Sequence, residues 1–189
     1  FHPQPNDSEQ DPEQIFLTVL YALKSLLNDE LTKKHKPVAL VFGASMHSVL
    51  PIDKQGVPLR NAVIWADNRG RDEANALKNS DECRLIYEQT GTPVHPMSPL
   101  IKIRWFRTHT PATWFEKVYK FISIKEDMIY QLTGQLVVDL CIASSTGLFN
   151  IHTHQWEERA LNYAGIQPHQ LSELVPIDYS ELKLKKEYL

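Results

Sequence analysis

Three short stretches of this 189-residue chain concentrate side chains able to do chemistry. The first is "ASMHSVLPID" (Ala44 to Asp53), where Met46 and His47 stand between one apolar run and the next. Neither is an obvious turn former, so the pair is either ordinary packing or part of a binding site. In the second, "NAVIWADNRG", an apolar run ends on Trp65 and delivers Asp67, Asn68 and Arg69 together. Loops just beyond strand ends in α/β folds commonly hold ligands, because rigid strands fix polar side chains at a crevice. The plainer account is a helix start capped by Asp67 or Asn68, with a solvated arginine. The third is "VDLCIASSTG", where Asp139, Ser144, Ser145 and Thr146 could offer alternating donors and acceptors to a polyol. The same hydroxyls can equally satisfy their own backbone in a tight connection.

Other chemistries find less support. "HTH" (His152, Thr153, His154) has the period of two that puts both imidazoles on one strand face, but no further zinc ligands are apparent, and a solvated strand end is the better account. There is no GxxxxGK[ST] or GxGxxG phosphate loop, and no nucleophile elbow for a Ser-His-Asp or Cys-His arrangement.

The elements that must hold these residues read as alternating helices and strands, hence one mixed α/β domain. Asp11 before Pro12 starts an amphipathic helix with a wide buried face, ending near Asn28. "PVALVF" (Pro37 to Phe42) reads as a strand covered on both faces. "HSVLPID" and "NAVIW" are strands that could pair as a hairpin across the turn at Gly56 and Pro58. Helical spacing returns in "DNRGRDEANALKNSDECRLIYEQT", stopped by Gly91, and in "SPLIKIRWFRTH". "KVYKFIS" reads as a strand, Ser123 caps "IKEDMIYQLTG", and residues 136–138 are extended. The strand "LFNIH" and the helix "EERALNYAG" follow.

An apolar content of 42% can fill a core, while a net charge of −3 with mixed signs offers no basic field for nucleic acid or an anionic membrane. No apolar run is long enough to span a bilayer, and "FHPQPNDSEQ" has no signal-peptide pattern, so a cytoplasmic location is expected. Cys83 and Cys141 suit reduced thiols. The opening on Phe1 and the polar ending "SELKLKKEYL" both read as cut ends.

Taken in order, "EQDPEQIF", "VFGASMHSVLPIDKQGVPLRNAVIWADNRG", "YEQTGTPVHPMSPLIKIRWF", "FISIKEDMIYQLTG" and "DLCIASSTGLFNIHTHQW" resemble the FGGY family of carbohydrate kinases, and within it the gluconate kinases. The resemblance runs from about Ser8 to Val175. It implies an RNase H-like N-terminal domain of the actin and sugar-kinase type that holds the sugar, with residues 1–189 forming part of it. The first strands of the central sheet and the C-terminal ATP-binding domain are expected outside the chain. Met46 and His47 are expected to touch the sugar, and Trp65, Asp67 and Arg69 to match a W-x-D-x-R segment lining the same pocket. Asp139 falls in a loop that reaches substrate in glycerol kinases, although Leu140 stands where those carry an aromatic. Because gluconate carries a carboxylate, Arg69 and Lys102 become the candidate cations.

The implied reaction moves the γ-phosphoryl of ATP, with Mg2+, to the terminal hydroxyl of gluconate. The expected general base is an Asp outside this chain, so no catalytic residue is assigned here and the chain alone is expected to be inactive. Its partners would be a sugar acid or polyol and the C-terminal domain of the same enzyme, with homo-oligomer formation left open. The alternatives are a kinase for xylulose or glycerol, or a non-catalytic sugar-binding module.

Overall fold

Asp11 behaves as its sequence context requires: its carboxylate accepts from the N–H groups of Glu13 and Gln14 at 2.9 and 3.3 Å, and Pro12 opens a helix, α1, over Pro12–Asn28. The structure, a computed structural model, describes residues 1–188. The wide buried face expected of α1 is not covered: only Pro12 is buried, and Leu17, Tyr21, Leu26 and Leu27 face solvent. A short second helix, α2 (Glu30–Lys34), follows, unanticipated from the pattern.

The next correction concerns Pro37 to Phe42, which forms no strand. Residues 36–47 form no helix or strand and enter no backbone–backbone hydrogen bond among the described residues, and Val38 is fully exposed. An apolar run becomes a buried strand only beside a partner, and no described strand lies next to this one.

Pairing begins at Val49. It exchanges both N–H···O bonds with Val63 at 2.9 Å each, and nearer the turn Leu59 donates to the Pro51 carbonyl and Asp53 to that of Val57, so the anticipated hairpin forms. The strand β1 (Glu9–Gln10) pairs antiparallel with β3 (Ala62–Val63), while β2 (Leu50–Ile52) pairs antiparallel with β4 (Lys120–Ile122). The apolar segment "KVYKFIS" thus supplies the partner on the other edge of β2. A parallel pair, β5 (Val137–Asp139) with β8 (Glu173–Val175), and an antiparallel pair, β6 (Phe149–Asn150) with β7 (Gln155–Trp156), complete the ladders.

The helical stretch after Trp65 divides into α3 (Arg71–Lys78) and α4 (Glu82–Thr90), and Gly91, at φ +65°, ends α4 as foreseen. Helix α5 (Pro99–His109) is the centre of the core. Its Leu100, Ile101, Ile103 and Phe106 are buried with Leu77 of α3, Ile86 of α4 and Leu161 of α9 (Glu158–Ala164). Each such side chain contributes about 1.5–3 kcal/mol. A short helix α6 (Ala112–Phe115) leads to β4. Helix α7 (Ile124–Thr133) carries a complete capping box between Ser123 and Glu126 and stops at Gly134, φ +79°. Asp139 caps α8 (Leu140–Ser144). His152 and His154 occupy the turn between β6 and β7 and share no strand face.

Candidate functional site

The Met46–His47 segment and the Trp65 segment leave the sheet side by side. Beyond the Val49–Val63 rung the ladder stops, because His47 takes the left-handed conformation at φ +68°. For a residue other than glycine this costs on the order of 1 kcal/mol and persists only where the surroundings impose it. Here the carbonyl of His47 accepts from Lys102 Nζ at 2.5 Å, and the same ammonium donates to the Ile64 carbonyl at 2.8 Å. One side chain from the first turns of α5 therefore ties together the peptides beside His47 and Trp65.

Outward from this tie the side chains change character. Met46 and Trp65 are exposed, at 43% and 57%, and His47 is half-buried. Burial first, and then the nearby charge of Lys102, pull the His47 imidazole below its ordinary pKa, so the ring is neutral at pH 7. A neutral imidazole offers one donor and one acceptor, which suits a hydroxyl. Its Nδ1 is buried without a hydrogen-bond partner among the described residues. The ring also borders a small cavity of about 30 Å³, shared with Ser145 and Thr146 and with Ser123, Glu126 and Ser172. The 139–146 segment is thereby brought against His47.

Inward, the remaining candidates lie buried. Asp67 is wholly buried and accepts from the Ser8 N–H at 2.6 Å, the Arg69 N–H at 3.0 Å and the Arg69 guanidinium at 2.9–3.0 Å. Arg69 also reaches Glu9 at 2.7 Å and Asp7 at 3.6 Å and lies over the Trp105 ring, while Arg60 pairs with Glu9. The expected solvated arginine is thus spent inside the protein, because three carboxylates surround it. Lys102 is fully buried, and desolvation lowers its pKa to about 7 against the pull of Asp67. In this arrangement both candidate cations are already bonded within the chain, Arg69 to carboxylates and Lys102 to main-chain carbonyls.

Asp139 accepts from the N–H groups of Cys141 and Ile142 at 3.1 and 3.2 Å and from Lys125 Nζ at 2.8 Å. Burial pushes its pKa up, but Lys125 and the helix N–H groups outweigh that and hold it low. The hydroxyls of Ser144, Ser145 and Thr146 donate to the carbonyls of Cys141, Ile142 and Ala143. Of the two accounts of this segment, the structure follows the one in which it satisfies its own backbone. The Lys125–Asp139 pair and the inward-facing Glu126 went unnoticed in the sequence. Lys125 and Glu126 stand beside the helix cap at Ser123, which is the signal that could have drawn attention to them.

No group of three or more His, Cys, Asp or Glu is placed to hold a metal ion among the described residues, and the acidic side chains at the site are already neutralised. This donor set does not fit Mg-ATP, and no step of phosphoryl transfer is assigned to it.

Comparison with known proteins defines the class as the N-terminal domain of a sugar kinase. Residues 1–186 match the model of the FGGY family of carbohydrate kinases, N-terminal domain, and the chain belongs to that family. Gluconokinase of Bacillus subtilis is 39% identical over 179 residues, which are 93% of this chain and 34% of that protein. Gluconate kinase from Lactobacillus acidophilus superposes with a TM-score of 0.87 at 30% identity, covering 100% of this chain and 37% of that one. The ligand-bound xylulose kinase from the same organism gives 0.88 at 30% identity, covering 100% and 38%. The chain spans about a third of the length of the relatives it matches.

Proposed function

We propose that this chain forms the sugar-holding part of an ATP-dependent kinase acting on the terminal hydroxyl of gluconate. The first strands of its sheet, the ATP-binding domain and the general-base Asp would come from polypeptide outside these residues. The observation that carries the sugar-site reading is the shared tether of His47 and Trp65, which sets a neutral imidazole beside an exposed indole at the mouth of two diverging strands. The imidazole suits hydroxyl groups, and the indole face suits the C–H groups of a sugar. The choice of gluconate rests on the 39% identity to a gluconokinase.

A second reading, a kinase for a neutral polyol or ketose such as xylulose, has its own support. The xylulose kinase structure matches as well as the gluconate kinase, and the two expected carboxylate-binding cations are engaged elsewhere.

Both readings are tested by ADP release from the full-length parent enzyme with gluconate, xylulose and glycerol. Gluconate-dependent turnover is expected, with kcat/KM lowered roughly 10- to 100-fold by His47→Ala, as loss of one well-placed hydrogen bond implies. Turnover with xylulose alone would transfer the assignment to the second reading. The 189-residue chain by itself is expected to release no ADP.

A further inference from the structure

We propose that Lys102 is a positioning residue: its buried ammonium replaces the missing rung between the two strand ends that present His47 and Trp65, and it never touches the sugar. The inference deepens the function proposed above and rests on it for the nature of the ligand.

An ammonium with no exposure to water is costly to place in a core, so its partners identify its task. Both hydrogen-bond partners of Nζ are main-chain carbonyls, those of His47 and Ile64, 55 and 38 residues away in the chain. They belong to the segments that separate just after the last backbone rung, Val49–Val63. His47 leaves the ladder because of its positive φ, and its own carbonyl is what Lys102 holds. An amine with several donors on a long stem can bridge two carbonyls, which as acceptors cannot bond to each other.

The surroundings fit a permanent tether better than a ligand contact. Leu100, Ile101 and Ile103 on either side of Lys102 are buried in the core, which fixes the stem of the lysine. Beside it Asp7, Glu9 and Asp67 pair with Arg60 and Arg69, and Asp67 favours the protonated amine against its burial. Protonated or neutral, the amine keeps N–H donors for both carbonyls.

A tether and a carboxylate contact differ in how a defect distributes over substrates. In the full-length enzyme, Lys102→Met is expected to raise KM for gluconate and for xylulose by a common factor of roughly 10 to 100, since a displacement of about 1 Å at a site can cost that much. KM for ATP should stay within about twofold, because the tether touches only the sugar side. A loss confined to gluconate would overturn the proposal in favour of a carboxylate contact, and unchanged KM for both sugars would also overturn it. If Lys102→Met fails to fold, Lys102→Gln, whose amide can still donate to one carbonyl, carries the same comparison. If the unvaried enzyme turns over neither sugar, the functional reading fails by itself. The tether is then judged by amide exchange at Val49 and Val63, which must quicken in the variant while the C-terminal turn of α7 does not.

Discussion

Asp127 sets burial against charge within one side chain. It lies in the first turn of α7 at 1% exposure, its carboxylate accepts from the Gln131 amide at 3.4 Å, and desolvation raises its pKa to about 6. The folded state thus binds more protons than the unfolded one between about pH 4 and 6, so stability falls as pH rises through that window and remains lower above it. Asp127→Asn removes the penalty. It is expected to gain up to about 3 kcal/mol at pH 7.5 and almost nothing near pH 3.5, as two pKa units imply. Denaturant unfolding at the two pH values checks this, and an equal gain at both would refute the titration. At this scale the sequence was partly legible. Met46, His47 and Trp65 could be singled out by their places at strand ends. The roles of Arg69 and Lys102 could not, because Glu9, which Arg69 reaches besides its neighbour Asp67, and the two main-chain carbonyls that Lys102 holds lie 38 to 60 residues away and leave no mark in a local pattern.

Among the elements, those closed by local chemistry were the readable ones. Asp11, Ser123, Gly91, Gly134 and Gly165 announce helix ends through a cap or a positive φ, and each does so in the structure. Ser123→Ala would remove the hydroxyl that accepts from the Glu126 N–H at 3.2 Å, and should cost about 1 kcal/mol, measured as a lowered unfolding midpoint. The other half of the capping box, the Glu126 carboxylate accepting from the Ser123 N–H at 2.7 Å, is retained in this variant. Strand partners were unreadable for the opposite reason: which ladder a strand joins depends on distant segments. The unformed strand at Pro37 to Phe42 is an error of that kind.

For the molecule as a whole, apolar surface is unevenly spread. Leu17, Tyr21, Leu26 and Leu27 of α1, Leu31 of α2, and Val38 and Val41 beyond them all face solvent, while the part built around α5 is closely packed. Exposed apolar side chains in this number favour association. The 189-residue chain on its own should therefore bind a hydrophobic dye and self-associate, and Tyr21→Lys with Val41→Lys should reduce both without lowering the unfolding midpoint by more than about 0.5 kcal/mol equivalent. Dye binding equal to that of a well-packed protein of the same size would contradict this.

The unpaired segment 36–45 runs directly into Met46 and His47, with no helix, strand or turn of its own to absorb a pull. Lys102 grips the chain at His47, immediately downstream. Any strand that pairs with this segment therefore acts on a lever whose fulcrum is the His47 peptide.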